Sequence, residues 1–281
     1  MYHSNCLLMQ YRRMCPAICR GIRMHIFISI AGLRIPSYGL MIALGVVSAN
    51  GIASLVLKKY KMNFYVFILL EAYAFLGAFL GAKLLYLWTA RSEIEWDRLI
   101  QPLYFNQLMQ GGFVFYGGLI GGLLFILLGG RLHRIDTGNH VRKFVFLLPW
   151  MHAFGRAGCF LAGCCYGVEY HGPLSVVFPE GSLAPSGVPL FPVQLAEAFC
   201  LMFLVAALVI AQGKFHMRRT VELYLISYSL LRFALEFFRA DGERGIYWGL
   251  STSQWISMLI LLGTLLYLAY ERKRDCGLTA V

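Results

Sequence analysis

Seven apolar runs, each close to the length of a transmembrane helix, constrain this chain more than any other feature. About 20 apolar residues are needed to cross the hydrocarbon core of a bilayer as an α-helix. We therefore predict an all-α integral membrane protein with about seven transmembrane helices. The fourth run contains Pro149, His152 and Arg156 and is the weakest, because it can either span fully or break near Gly163. The predicted spans are Ser37–Leu57, Phe64–Trp88, Phe113–Gly129, Phe144–Gly163, Pro192–Ala211, Val221–Phe238 and Ser253–Tyr270.

Basic residues occupy alternate loops between these runs. Only 14% of the residues are charged, although the formal net charge is +11. The positive-inside rule places the basic loops and the C-terminus in the cytoplasm, and seven spans then leave the N-terminus outside. Because topology and anionic headgroups account for the basic balance, no nucleic-acid partner is predicted. The basic positions are Lys58, Lys59, Lys61, Arg131, Arg134, Arg142, Lys143, Lys214, Arg218, Arg219, Arg272, Lys273 and Arg274.

The residues before the first span oppose this orientation, since they contain several arginines that would lie outside. A start of translation at Met24 would remove most of them. We predict an N-terminal extension over residues 1–36, one polytopic transmembrane catalytic domain over residues 37–270 and a cytoplasmic tail over residues 271–281. The proline- and glycine-rich segment between spans 4 and 5 is predicted to form a periplasmic or extracellular loop region.

Glycines at the spacing of closely packed helices occur in the second and third runs. Small residues four apart let two membrane helices approach backbone to backbone, so packing is the simplest role for them. They are Gly77 and Gly81 in one run and Gly117, Gly118, Gly121 and Gly122 in the other.

Three charged side chains, Arg232, Glu236 and Arg239, lie in the otherwise apolar stretch Leu223–Arg239, where a charge is costly unless it faces a polar cavity or an opposite charge. Tyr228, Arg232, Glu236 and Arg239 are four, four and three residues apart, so on a helix they share one face. A stripe with two arginines that points inward is suited to bind an anion. The run is therefore predicted to form part of a binding site.

His152, Arg156 and Cys159 are four and three residues apart and share one face of the fourth run. Arginine stays charged when buried, and its planar fork matches the geometry of phosphate. Arginines from two helices that converge at one depth would therefore bind a phosphate group.

An alternative role for these arginines is ion pairing between helices. Arg156 with Glu236, or Arg232 with Glu197, would hold two helices together without a ligand. The excess of arginines over carboxylates in these runs favours a bound anion instead.

Gln194 and Glu197 lie three residues apart at the start of the fifth span, after Pro192. Proline is common at a helix N-terminus, so these two side chains can cap the helix. Alternatively, they orient the arginines or a substrate hydroxyl.

The chain has eight cysteines, of which Cys159, Cys164 and Cys165 are close in sequence. Their spacing is not Cys-x-x-Cys, so we predict neither a zinc site nor a redox pair. Packing is their simplest role. A cysteine beside arginine and histidine has a lowered pKa, which leaves open a rival hypothesis in which the protein's own thiol acts as a nucleophile or redox sensor.

Five short motifs occur in a fixed order, and together they resemble the bacterial prolipoprotein diacylglyceryl transferases. The resemblance extends over nearly all of the chain between Pro36 and Tyr270, which makes it specific although each motif is short. The motifs are Pro36–Met41, Gly111–Gly121, His152–Phe160, Pro192–Glu197 and Tyr228–Arg239.

The resemblance implies a transferase that moves the diacylglyceryl group of phosphatidylglycerol onto the thiol of a lipobox cysteine and releases glycerol phosphate. The implied partners are phosphatidylglycerol, secreted prolipoprotein precursors and membrane lipids. The implied location is the bacterial plasma (inner) membrane, and neither a cofactor nor a metal is implied.

The resemblance also implies roles for individual residues. Arg156 matches the family's phosphatidylglycerol-binding arginine, Arg232 matches its essential arginine, and Tyr38 and Tyr228 match tyrosines that line the cavity. We predict that the catalytic residues are Arg232, Tyr116, His152 and Glu236. We predict that the substrate-binding residues are Arg156, Tyr38, Gln194, Glu197, Tyr228, Arg239 and Cys159.

The chain departs from the family pattern at four positions. Tyr116 replaces the usual histidine, and Cys159, Ala162 and Cys164 replace polar residues. A tyrosine with a pKa near 10 is a poor general base at neutral pH unless arginines lower its pKa, so both Tyr116 and His152 are candidates for proton transfer. The chain therefore resembles a divergent, cysteine-rich branch of the family.

Two alternative functions remain open from the sequence. One is a divergent paralogue that transfers to a different acceptor. The other is a membrane protein that binds or transports anions or anionic lipids without catalysis, although the chain shows no paired inverted halves of the kind found in many transporters.

Overall fold

The computed structural model describes residues 27–30, 33–92, 94–110, 114–240 and 246–278. Helices dominate this part of the chain, which confirms the predicted all-α class. The proposed start at Met24 and most of the predicted extension lie outside the described residues. The helices are α1 (Ser37–Tyr60), α2 (Phe64–Thr89), α3 (Pro102–Gln110), α4 (Phe115–His133), α5 (Thr137–Phe144), α6 (Leu147–Ala162), α7 (Val193–Gly213), α8 (Thr220–Leu235) and α9 (Thr252–Leu278). The antiparallel strand pairs are β1 (Phe27–Ile30) with β2 (Leu33–Pro36), β3 (Val176–Val177) with β4 (Pro189–Leu190), and β5 (Ile246–Tyr247) with β6 (Leu250–Ser251).

Within the described residues, five helices are long and apolar enough to cross a membrane, namely α1, α2, α4, α7 and α9. Helices α5 and α6 qualify only as a pair, bent by 47°, and they raise the number of spans to at most six. This count is close to the predicted number of about seven spans.

The predicted sixth span is formed by α8 and the turn that follows it. Helix α8 has 16 residues and ends at Leu235, where the chain tightens into a 3-10 turn over Glu236–Phe238. The α-helical residues rise about 24 Å and the 3-10 turn adds about 6 Å, which together match the roughly 30 Å thickness of the hydrocarbon core. Apolarity alone did not reveal the change of helix type.

The chain divides into two compact units, residues 54–141 and residues 1–53 with 142–281. In the unit of residues 54–141, α2 and α4 pack at their glycines. A Cβ on Gly81 would lie 2.2 Å from the carbonyl oxygen of Gly117, and a Cβ on Gly77 would lie 2.3 Å from that of Gly121. Only glycine permits such close contact, which confirms the predicted packing role.

Lys83 of α2 fixes the C-terminal end of α3 in the same unit. Its Nζ donates to the carbonyl oxygens of Leu108 at 2.5 Å and Met109 at 3.2 Å. A cation at this end of a helix offsets the partial negative charge of its carbonyl groups. This buried lysine was not singled out from the sequence.

In the other unit, α1 packs against α6 through close contacts at glycines and through a hydrogen bond. A Cβ on Gly158 would lie 3.0 Å from the ring of Tyr38, so the two helices approach closely there. The indole Nε1 of Trp150 donates to Ser48 Oγ at 3.0 Å. Helix α6 also packs along α7, and α8 packs along α9.

The segment between α6 and α7 is non-helical, as predicted, and joins three stretches of backbone. Val168 N donates to Phe238 O at 3.0 Å, and Val168 O accepts from Phe191 N at 2.9 Å. Gly167 permits this arrangement, since a Cβ there would lie 2.3 Å from Phe191 O and 2.8 Å from Phe238 O. A small apolar core beneath the segment consists of Phe160, Phe178, Ala184 and Leu190.

Candidate functional site

Glu197 lies at the centre of a buried cluster of charged side chains. It occupies the second turn of α7, and its side chain is 1% exposed. Its Oε2 lies 3.0 Å from Nε of Arg156 and 3.8 Å from Nη1 of Arg239, and its Oε1 lies 3.5 Å from Nε2 of His152. Four of the residues singled out in the sequence therefore meet at one carboxylate.

Helix α6 contributes His152, Arg156 and Cys159, which follow one another at one-turn spacing as predicted. The His152 ring packs edge-on against Tyr228 of α8, with ring centroids 5.4 Å apart. Tyr228 in turn stacks on Tyr224 at 5.7 Å. The predicted face of α6 thus contacts both α7 and α8.

Arg232 of α8 is buried and pairs with Glu236, one turn further along the chain. Its Nη1 lies 2.5 Å from Glu236 Oε2, and its Nη2 donates to Ser253 Oγ of α9 at 3.0 Å. The ion pairs considered from the sequence, Arg156 with Glu236 and Arg232 with Glu197, are both wrong. Arg156 instead pairs with Glu197, and Arg232 pairs with Glu236. Glu236 is only one turn beyond Arg232, so the two residues form a local pair.

Arg239 does not lie on the helical stripe that its spacing predicts. The helix ends before it, and its backbone is extended, with φ −100° and ψ 142°. It forms an isolated antiparallel bridge with Gly167, and its side chain, 2% exposed, approaches Glu197. The residue joins the cluster through strand pairing with the segment after α6, which no helical periodicity can reveal.

Several buried polar atoms of the cluster make no hydrogen bond among the described residues. They are Nε of Arg156, both carboxylate oxygens of Glu197 and Oε1 of Gln194. The contacts of Glu197 are therefore ion pairs that lack the alignment of a hydrogen bond. Buried polar atoms are normally satisfied, so this region can accept further donors and acceptors from a polar ligand.

Gln194 ties the start of α7 to the end of α6. Its Nε2 donates to the carbonyl oxygen of Cys164 at 2.8 Å, and its side chain is buried. No side chain caps the N-terminus of α7, so the capping role considered for Gln194 and Glu197 is wrong. Both side chains instead face the residues of α6 and the turn that follows it.

Two predicted tyrosines lie in different units. Tyr38 of α1 contacts Gly158 and lies within electrostatic range of Arg156 and Cys159. Tyr116 lies in the first turn of α4, in the unit of residues 54–141. Its participation in the site stays a prediction.

The end of α6 brings together three cysteines. Gly163 has φ +68°, its N–H bonds to Phe160 O at 3.1 Å, and Cys164 N bonds to Cys159 O at 3.0 Å. This is the Schellman ending of a helix, which places the residue after the glycine against the residue three positions before the helix end. The Sγ atoms of Cys159, Cys164 and Cys165 all lie within 4.8 Å of one another.

The environment of Cys165 favours its thiolate. Hydrogen bonds from the Cys159 and Cys164 side chains, together with the guanidiniums of Arg239 and Arg156, hold the pKa of the Cys165 thiol below its ordinary value. This cluster was not predicted from the sequence, because its spacing is not Cys-x-x-Cys. The signal that could have revealed it is a cysteine four residues before a helix-ending glycine and two cysteines directly after it.

Comparison with known proteins gives these side chains a family context. A family model described as prolipoprotein diacylglyceryl transferase matches residues 25–270. The chain is 37% identical over 243 residues to phosphatidylglycerol–prolipoprotein diacylglyceryl transferase 2 of Clostridium perfringens, which covers 84% of this chain and 91% of the relative. It is 32% identical to the corresponding transferase of Clostridium tetani, over 84% of this chain and 93% of the relative. A third such transferase, from Mannheimia succiniciproducens, is 30% identical over 88% of this chain and 93% of the relative.

Proposed function

Since the chain belongs to the prolipoprotein diacylglyceryl transferase family, we propose that it transfers the diacylglyceryl group of phosphatidylglycerol to a cysteine thiol of a prolipoprotein. The observation that carries the proposal is the buried charge cluster, in which Arg156 and Arg232 extend from two helices of one unit. Among the described residues of the cluster, three arginines, Arg156, Arg232 and Arg239, face only two carboxylates, Glu197 and Glu236, which favours an additional anion.

Arg156 and Arg232 are the proposed phosphate ligands. Their side chains are 13% and 8% exposed, so they act in surroundings where charges are weakly screened. Negative charge develops on the departing glycerol phosphate, and fixed cations stabilise it without reorganisation. Glu197 and Glu236 hold the two guanidiniums in place, and Arg239 adds a third cation next to Glu197.

The proposed transfer is a displacement at carbon. The acceptor sulfur forms a bond to the glyceryl carbon that bears the phosphate, the carbon–oxygen bond breaks, and its electron pair leaves with glycerol phosphate. The thiol proton goes to a base beforehand. His152 is suited to this role, because Glu197 and Tyr228 contact its ring and orient it. Tyr116 is the second candidate.

The remaining residues of the site are proposed to position the lipid. Tyr38 and Tyr228 present apolar rings with a polar end, which suits the boundary between acyl chains and headgroup. Gln194 Oε1, which is buried without a hydrogen bond among the described residues, suits a headgroup hydroxyl. Cys159 lies one turn beyond Arg156 on α6 and belongs to the same region.

The proposed setting is the bacterial plasma (inner) membrane, with the N-terminus outside and the C-terminus in the cytoplasm. The acceptors are secreted prolipoprotein precursors with a lipobox cysteine, and the donor arrives laterally from the lipid bilayer. The basic residues near the C-terminal ends of α1, α4, α5 and α9 and in the loop after α7 support this orientation.

The test is a transfer assay with purified protein, phosphatidylglycerol vesicles and a lipobox peptide, in which mass spectrometry detects the thioether product. We expect Arg156→Ala and Arg232→Ala to lower the rate by at least about 100-fold, as loss of a transition-state donor does. Arg156→Lys should restore little, because lysine lacks the planar fork. Arg219→Ala, which removes an exposed arginine paired with Glu271 at 3.2 Å, is the control and should keep full activity. Absence of product from well-folded wild type would contradict the proposal.

A further inference from the structure

Of the three cysteines at the end of α6, only Cys159 has a role in the proposed transfer, as part of the region that positions the lipid. Their sulfur atoms nevertheless form a compact group, all within 4.8 Å of one another. Each of the three residues is half-buried, so none of them is sealed inside the protein. The geometry resembles that of a set of metal ligands more than that of three packing residues.

The distances suit a single ion bonded to all three sulfurs. A zinc–thiolate bond is about 2.3 Å long, so three sulfurs arranged trigonally around one ion lie about 4.0 Å apart. The three sulfurs, all within 4.8 Å of one another, already lie close to that spacing.

The backbone holds the ligands in place without the ion. Cys159 and Cys164 face each other across the Schellman ending, and the carbonyl oxygen of Cys164 accepts from the buried Gln194. Cys165 has φ +57°, a left-handed conformation that is uncommon for a residue other than glycine. Strain of this kind persists only where the surroundings enforce it. The three thiols are therefore fixed in advance, which lowers the entropic cost of binding.

The charges around the cluster favour an anionic set of ligands. The guanidiniums of Arg156 and Arg239 lie within electrostatic range of the Cys165 sulfur. Three thiolates with one divalent ion have a net charge of −1, and with one monovalent ion a net charge of −2. Neighbouring guanidiniums stabilise either complex.

We propose that Cys159, Cys164 and Cys165 form a three-thiolate binding site for one thiophilic metal ion, Zn²⁺ or Cu⁺. Soft thiolate ligands select these ions over Mg²⁺ and Ca²⁺. Among the residues that the structure describes, no fourth histidine, cysteine or carboxylate joins the group. A bound Zn²⁺ therefore completes its coordination with an exogenous ligand, whereas Cu⁺ is satisfied by the three sulfurs.

The test uses the full chain in detergent, stripped of metal by a chelator and reduced. Zn²⁺ and Cu⁺ are titrated in separate anaerobic arms against a chromophoric competitor, and Co²⁺ is added in a third arm as a spectroscopic probe of thiolate ligation. We expect one equivalent of Zn²⁺ or Cu⁺ per chain, a thiolate-to-cobalt charge-transfer band, and protection of three thiols from a thiol reagent. Cys165→Ser should weaken binding by at least about 100-fold, given that loss of even an outer-shell partner costs 10–100-fold.

Cys200→Ser is the matched control, since Cys200 is a lone cysteine on α7 and should leave the affinity unchanged. Thermal unfolding of the metal-free variants separates loss of binding from loss of fold. The thiol-protection measurement is made on the wild type, so it does not depend on whether a variant folds. The proposal is overturned if the wild type binds no ion at one equivalent, or if Cys159→Ser, Cys164→Ser and Cys165→Ser together leave binding unchanged. It is also overturned if two of the three sulfurs form a disulfide that withstands the reductant, which would assign the cluster a structural cross-link instead of a metal site.

Discussion

Two guanidiniums and one imidazole share the single carboxylate of Glu197, and this sharing determines what a substitution there costs. Breaking a buried ion pair by removal of one partner is expensive, because the other charge is left desolvated. An exposed pair such as Arg98 with Glu95 loses almost nothing when it is broken. The contrast between a buried and an exposed pair gives a test at the scale of one residue.

We predict that Glu197→Gln destabilises the protein by about 3–5 kcal/mol, since the substitution leaves Arg156 and Arg239 without their shared carboxylate. Thermal unfolding in detergent measures the effect, and the transfer rate should fall as well because the Arg156 guanidinium loses its orientation. Glu95→Gln is the matched control and should change stability by less than about 1 kcal/mol. Equal stability of the two variants would show that Glu197 does not hold the cluster together.

The residues that gather around Glu197 were singled out from the sequence, but their pairings were not predictable. Spacing placed His152, Arg156 and Cys159 on one face of a helix, and the structure confirms it. Which carboxylate meets which arginine depends on helix packing and on where α8 ends, and neither follows from periodicity. The three-cysteine cluster depends on the way α6 ends rather than on a regular spacing, so the Cys-x-x-Cys pattern does not predict it.

Two contacts in the structure depend on glycine because it has no side chain. One joins helices α2 and α4, and the other joins the extended segments around Gly167. At the α2–α4 contact the two backbones approach too closely for any side chain to fit between them. Gly167 lies between the carbonyl oxygens of Phe191 and Phe238. These positions were identified partly from sequence, since Gly77 and Gly81 have the spacing of a packing motif. Gly167 has no such spacing, and its role follows only from the strand pairing.

Gly81→Ala should destabilise the α2–α4 contact by about 1–3 kcal/mol, which is the usual cost of an overpacked site. The added methyl group would meet the Gly117 carbonyl oxygen, so the two helices must move apart. Denaturation monitored by circular dichroism is the measurement. Gly263→Ala, at a position in α9 with nothing within 4 Å, is the control and should be neutral or slightly stabilising. An unchanged Gly81→Ala protein would contradict the close packing.

For Gly167→Ala we expect a loss of transfer activity larger than the loss of stability. The methyl group would separate the segment at 167 from Phe191 and Phe238, and Arg239 follows Phe238 directly. Displacement by about 1 Å of a group that positions a substrate can cost on the order of 100-fold in rate. Gly51→Ala, on α1 with open space around it, provides the comparison. Parallel losses of activity and stability would instead indicate general unfolding.

The chain as a whole is a multi-pass membrane protein of the prolipoprotein diacylglyceryl transferase family. The fold class followed from the long apolar runs, and the bounds of the five long helices agree with the predicted spans to within a few residues, apart from the extended C-terminal end of α9. The bend in the pair α5–α6 and the change from α-helix to 3-10 turn at the end of α8 did not follow, because hydropathy does not reveal where a span is broken. Breaks of this kind depend on tertiary contacts.

Topology can be tested on the whole molecule with two surface positions. We predict that a cysteine at Glu180→Cys reacts with a membrane-impermeant thiol reagent in intact cells, whereas Lys214→Cys reacts only after permeabilisation. Glu180 lies in the exposed segment before α7, and Lys214 lies in the basic loop after it. The parent protein corrects for labelling of native cysteines. The reverse pattern of labelling would invert the proposed orientation.

The most direct test of the proposed function is the mass of a lipoprotein in a bacterium depleted of its own diacylglyceryl transferase. We predict that the wild-type chain restores growth and adds a diacylglyceryl thioether to the lipobox cysteine, whereas Arg156→Ala and Arg232→Ala do neither at equal expression. A well-expressed wild-type chain that leaves the lipoprotein unmodified would contradict the proposed transfer.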